Sequence, residues 1–137
     1  MSFYVTKIKP FVGSDFKKVH GQALDFYNII RKRTKRRPYV RSRYFNKDKV
    51  FLPLFWNHLF DKPNWRDRVR RLRFFACGID LIESSTLSPI IQKKSTTRSE
   101  IMYRFSGQTK DGLVFYVQIK EEVKTGEKWL VSIFPEK

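Results

Sequence analysis

The spacing of apolar residues changes once along this chain, near Pro89. Before it they recur at intervals of three and four, and after it at every second position. Phe16, Val19, Ala23, Phe26, Tyr27 and Ile30 predict a helix over about 15–33. Ser14 is its expected N-cap, Asp15 falls in the first turn, its last turn is cationic, and Pro38 stops it. Phe3 to Val5 reads as a short strand or extended arm. Residues 34–49 show no apolar period and read as a basic loop. The dense run KVFLPLFWNHLFDKP predicts a short helix over about 51–61, with Pro53 tolerated in its first turn. Asn64 caps the clearest helix, 64–85, on which Trp65, Val69, Leu72, Phe75, Ile79 and Ile82 form one stripe; Arg66, Arg70, Arg71 and Arg73 fall on or beside the other face.

Beyond Pro89, Ile90-Ile91-Gln92 is a first candidate strand. Ile101–Ser106, Leu113–Lys120 and Lys128–Phe134 follow, with a hairpin turn at Lys110-Asp111-Gly112 and another turn at Thr125-Gly126. Alternation puts Leu113, Phe115, Val117 and Ile119 on the core face. In the last strand it puts Trp129, Val131 and Ile133 inward and Lys128, Leu130, Ser132 and Phe134 outward. The expected architecture is α+β: N-terminal helices, then a three- to four-stranded antiparallel sheet packed on one helix, 64–85. Residues 1–50 read as a basic extension with one helix, and 51–137 as the α+β domain.

Charge sharpens this picture. The 137 residues carry 29 Lys+Arg against 13 Asp+Glu, a formal net charge of +16. With 41% hydrophobic and 16% aromatic residues, the chain has material for a core and is not a disordered basic tail. A field of this size concentrates polyanions. RNA is the foremost expected partner, DNA the next, and an acidic protein a third. One cysteine, Cys77, rules out an internal disulfide, and two histidines with one cysteine leave little for a Cys/His zinc site. No metal or cofactor is expected. No apolar run is long enough to span a bilayer, and the first residues lack a signal-peptide core, so membrane insertion is not expected and a cytoplasmic location is.

The basic run RKRTKRRPYVRSRYFNKDK, residues 31–49, supplies Arg31, Arg33, Arg36, Arg37, Arg41 and Arg43 for phosphates, and Tyr39 and Tyr44 for stacking on unpaired bases; Arg70 and Arg71 of the next long helix extend the surface. The bland alternative is a solvated arm. On the outer sheet face, Arg104 and Lys120 are candidate cations, and Gln118 and Ser132 candidate hydrogen-bonding groups, for a ribonuclease that works without metal. An ordinary solvated face fits the pattern equally. His20 and His58 are the available acid/base side chains, each in apolar company that also suits a structural histidine.

The segment from Arg68 to Lys137, about half the chain, resembles the BECR-type nuclease fold, the group named for barnase, EndoU, colicin and RelE. The resemblance lies in the helix RVRRLRFFACGIDLIESS, the strand near SPIIQK, and EIMYRFSGQTKDGLVFYVQIKEEVKTGEKWLVSIFPEK. An Arg-bearing strand Tyr103-Arg104-Phe105, a hairpin, and a closing Ser132-Ile133-Phe134-Pro135 match phage- and toxin-associated members. The chain is also similar to small bacterial proteins sharing FWNHLFDKPNW and VQIKE. The resemblance implies a metal-independent endoribonuclease of the toxin type, in which the 2′-hydroxyl attacks the adjacent phosphate, and an acidic antitoxin or immunity protein as a partner. Arg104 and Ser132 carry over most directly, Gln118 and Lys120 less so. No histidine lies in 68–137, so His58 or His20 must supply any imidazole. Two other readings stand beside it: a non-catalytic RNA- or DNA-binding protein on the same scaffold, and an interaction module for an acidic partner.

Overall fold

A computed structural model of the protein describes residues 2–60, 64–93 and 99–136. The period-3.6 segments form helices close to their predicted bounds. Helix α1, Phe16–Arg33, buries Val19, Ala23, Tyr27 and Ile30. Its N-cap is Asp15 in place of the expected Ser14, and the Asp15 carboxylate accepts from the Lys18 N–H at 3.2 Å. Helix α2, Pro53–Phe60, starts on the proline that cannot use an N–H there and buries Phe55 and Leu59.

The predicted helix 64–85 is two helices. In α3, Trp65–Arg73, Asn64 accepts from the Arg66 N–H at 2.9 Å. Phe74, at φ −96° and ψ 6°, then leaves helical geometry, and α4 runs Phe75–Ser84. Seven of the ten residues of α4 are buried, so the break lets the apolar second half turn into the core while the arginine-rich first half stays at the surface. Close approach to the sheet needs Gly78: a Cβ there would lie 2.4 Å from Ile133 Cδ1.

The sheet departs furthest from expectation. It has seven strands and is mixed, where three or four antiparallel strands were expected on a single helix. Strand β1, Tyr4–Val5, pairs parallel to β5; β2, Tyr39–Ser42, and β3, Asp48–Phe51, form a hairpin; and β3 pairs parallel to β7. Strands β4, Ile90–Lys93, β5, Glu100–Gln108, β6, Val114–Glu122, and β7, Lys128–Pro135, are antiparallel neighbours in sequence. The order is β1-β5-β6-β7-β3-β2, with β4 also on β5.

Residues 34–49, read as a loop, thus contain most of a hairpin. Within β2 and β3 the buried positions are Val40, Ser42 and Val50, a period of two hidden by the charges around it. Its five-residue turn places Asn46 and Lys47 at φ 55° and 69°, a left-handed geometry that Asn adopts more readily than most residues. Strand β1 is held by a buried threonine: the Thr6 hydroxyl donates to Asp80 of α4 at 2.6 Å and the Tyr4 hydroxyl to the same carboxylate oxygen at 2.8 Å.

The last strand has a second departure. Gln118 pairs with Ser132 but Ile119 pairs with Leu130, so Val131 is an extra residue in a β-bulge. Lys128, Leu130 and Ile133 therefore point inward and are buried, while Trp129 and Val131, expected inward, do not. Lys128 sits beneath the sheet with its ammonium 4.9 Å from the Phe45 ring and 2.9 Å from Asp48. Leu72, Phe75, Ile79, Phe115, Val117 and Ile119 are core residues as expected; Leu113 lies before β6 and is exposed. Among the described residues, no helix is long and apolar enough to cross a membrane.

Candidate nucleic-acid interface and pocket

Strand β3 reaches β7 only at Lys128 and Trp129. Beyond them the edge of β7 has no strand partner among the described residues, and α2 and α3 lie against it. A pocket of about 470 Å³ opens there, lined by Phe55, His58, Leu59, Arg71, Gln118, Val131, Ser132 and Phe134.

Three sequence-nominated residues, Arg104, Gln118 and Ser132, are directly opposed across β5, β6 and β7. The bulge turns Val131 to the pocket side, while Ser132, beside the inward Ile133, faces outward as alternation predicts. Ser132 and Phe134 share the outer face with Gln118 and Tyr116. His58 enters from α2, which sets it against the same strands though it is 60 residues from Gln118 in sequence.

Arg71, nominated only as a phosphate contact on a helix face, is part of the pocket. Its Nη1 donates to Ser132 Oγ at 2.6 Å, and its Nε to Asp67 Oδ2 at 3.0 Å, so the i,i+4 carboxylate orients it. Its guanidinium carbon lies 5.4 Å from the centroid of the Phe134 ring, and that of Arg104 lies 5.9 Å from the same centroid and 5.8 Å from Tyr116. Two cations therefore share one aromatic ring at the pocket wall. Among the described residues no carboxylate is within ion-pair distance of Arg104, since Glu100 takes Lys120 at 3.1 Å and Glu121 accepts from the Tyr103 hydroxyl at 2.7 Å. Arg104 Nε is buried and has no hydrogen-bond partner there. The Tyr116 hydroxyl donates to Glu136 at 3.1 Å, and burial with this bond raises its pKa above the ordinary value of a tyrosine.

Other nominated residues are elsewhere. Lys120 is engaged by Glu100 and does not line the pocket. His20 stacks on Phe16 at 5.2 Å and meets Trp56 edge-on at 6.0 Å, in an aromatic cluster away from the sheet. Tyr44, nominated for base stacking, packs on Phe105 at 5.5 Å and belongs to the core margin with Phe45. Tyr39 keeps a stacking position on the hairpin, with Lys49 4.7 Å and Arg41 5.5 Å from its ring.

Arg31, Arg33, Arg36, Arg41 and Arg43 are exposed. Arg37 is exposed too but committed, paired with Glu127 at 3.0 Å while its guanidinium carbon lies 4.1 Å from the Phe51 ring. Arg31, Lys35 and Arg36 line a second hollow with Trp56 and Asn57 of α2, so that helix separates the basic segment from the pocket at His58. Among the described residues no group of three or more His, Cys, Asp or Glu is placed to hold a metal ion.

Sequence reasoning overlooked Arg71 and Phe134 as pocket residues. The Asp67–Arg71 spacing was a weak signal, because an i,i+4 carboxylate–arginine pair is an ordinary feature of a solvated helix face. No family model, curated protein or solved structure matches the chain, so the resemblance to BECR-type nucleases rests on the residue pattern alone.

Proposed function

We propose that this protein binds RNA and cleaves it without a metal ion in the pocket between α2, α3 and the outer face of β6 and β7. The observation that carries the reading is the convergence of His58, Arg71, Gln118 and Ser132 on one pocket, with Arg104 sharing the Phe134 ring beside it. Phosphoryl transfer of this kind needs a proton acceptor near neutrality and fixed positive charge where the phosphate becomes more negative.

His58 is the pocket side chain whose imidazole can accept and return a proton. In the proposed step the 2′-hydroxyl proton passes to His58 and the 2′-oxygen forms a bond to the adjacent phosphorus. The bond from phosphorus to the 5′-oxygen breaks, that oxygen takes a proton from water, and the proton on His58 passes to the hydroxide left behind, so that a cyclic phosphate and a neutral imidazole remain. Arg71 and Arg104 offset the developing charge, while Ser132 and Gln118 offer hydrogen bonds. The exposed arginines of 31–43, across α2, hold the flanking strand.

The test is incubation of the purified protein with RNA in the presence of chelator. Cyclic-phosphate ends are expected, and His58→Ala and Arg104→Ala, each still folded, should lower the rate by about 10²-fold or more. Full activity in both variants would remove the site. Binding of RNA by the parent without cleavage under any condition would replace the enzyme with a non-catalytic binding protein.

A further inference from the structure

Trp65 falls on the apolar stripe of α3 by spacing, yet 50% of it is exposed. It forms one wall of a crevice of about 380 Å³ shared with Gly13, Arg66, Val69, Arg70 and Arg73. The Arg66 guanidinium carbon lies 5.5 Å from the Trp65 ring. Arg73 is fixed as a wall by its Nε bond to the Phe11 carbonyl at 2.9 Å. Arg66 and Arg70 are exposed, and among the described residues neither pairs with a carboxylate. At 100° per residue these three arginines leave α3 on the opposite flank of its buried stripe from Asp67 and Arg71. The crevice is therefore separate from the pocket at His58.

We propose that this crevice is a subsite for one unpaired base of a single-stranded nucleic acid, stacked on Trp65, with the adjoining phosphate on Arg66 and Arg70. It deepens the RNA-binding reading, on which it rests, by naming single strands as the substrate class. A duplex buries its base faces and cannot offer one to Trp65; a single strand can. A lone indole among cations does not make the broad apolar face that a protein or lipid partner covers, and the Tyr39 platform repeats the same pairing of ring and cation. Arg is suited to the phosphate because its planar fork can grip two oxygens.

The experiment measures binding of the full chain to a short oligoadenylate, to an RNA duplex of equal length and to phosphatidylserine vesicles, for the parent, Trp65→Ala, Trp65→Phe and Arg66→Ala/Arg70→Ala. Thermal melting of each variant controls for folding. Trp65→Ala should weaken oligoadenylate binding about 5- to 100-fold with its salt dependence unchanged, because no charge is removed. Trp65→Phe should recover most of the loss, and the duplex should respond little. The double arginine variant should lower the salt slope by about one to two units. Parental oligoadenylate affinity in folded Trp65→Ala overturns the subsite and leaves RNA binding standing. An equal loss on the duplex, or dependence on Trp65 for vesicles alone, overturns it as well. No binding to either RNA by the parent would remove the RNA reading together with the subsite.

Discussion

Replacing Leu130 and Val131 separately by alanine measures the bulge on which part of the pocket wall depends. Leu130 is 0% exposed and packs in the core. Truncating such a leucine leaves a cavity and costs about 2–5 kcal/mol. Val131 is half-buried, lines the pocket and has no partner residue in the ladder, so its truncation should cost less than about 1 kcal/mol. With a urea m-value of roughly 2 kcal/mol per molar, Leu130→Ala should lower the denaturation midpoint by about 1–2.5 M and Val131→Ala by no more than about 0.5 M. The assay is equilibrium unfolding in urea followed by tryptophan fluorescence, with m compared between variants to check that the transition stays two-state. Simple alternation predicts the reverse order, with Val131 inward and Leu130 in solvent. If Val131→Ala were the more costly, the bulge would be absent, with Val131 in the core, Leu130 in solvent and Ser132 still outward. The register of Ile119 with Leu130, and the part of the pocket wall formed by Val131, would then be wrong.

Five further outcomes follow from the same geometry. Phe75→Ala should cost about 3–5 kcal/mol in urea unfolding, because Phe75 is fully buried against Phe26, Tyr27, Phe55 and Trp56. Replacing Arg36, Arg41 and Arg43 together by alanine should weaken RNA binding and reduce its salt slope by about one unit for each phosphate these arginines neutralise; an unchanged slope in a binding titration would move the interface elsewhere. Burial first, and the charge of Asp80 second, push the Cys77 thiol up to about 12, so alkylation of the native protein at pH 8 should proceed only as fast as unfolding exposes the thiol. The sign for stability is that of a raised acid: the contribution is complete below the ordinary 9.0 and is lost as pH rises toward 12, so Cys77→Ala should soften the alkaline fall in the urea midpoint. Asp67→Ala should lower cleavage while leaving the melting temperature within a few degrees, because this half-buried carboxylate orients Arg71 and is capped by no other element.

How much of this could be read from the chain depends on how far each segment's pattern is local. Helix α1 was legible because Val19, Ala23, Tyr27 and Ile30 repeat over 18 residues with a polar N-terminal cap. The β5–β6 hairpin was legible because Asp111-Gly112 sits between two alternating runs. The β2–β3 hairpin was not, because four-residue strands offer at most two buried positions each and the exposed ones are Arg and Lys. The parallel pairings of β1 and β3 were hidden for another reason. Their partners lie more than 75 residues away, and nothing in a two- or four-residue strand names a partner at that distance. In β7 the run Trp129-Leu130-Val131 is apolar at three consecutive positions, so both phases of alternation fit; Ile133 packs inward near Gly78 as expected, and the bulge at Val131 puts Leu130 inward in place of Val131.

This arrangement links the core to the site. Gly78 lets α4 approach the sheet at Ile133, and Ile133 inward with Leu130 also inward leaves three positions to span where two would alternate. The extra residue has to be accommodated between them, and the bulge at Val131 does this. Its consequence at the surface is to add Val131 to the pocket wall beside Ser132 and Phe134, which meet Gln118, Arg71 and Arg104. A larger residue at 78 would press on Ile133 from below, and overpacking of this kind costs about 1–3 kcal/mol unless the strand moves. If β7 relieves the pressure by shifting, the 2.6 Å bond between Arg71 and Ser132 is the contact it would stretch. Gly78→Ala should therefore impair the pocket as well as the fold. A variant that loses stability yet cleaves RNA at the parental rate at low temperature would show that the core and the pocket are independent.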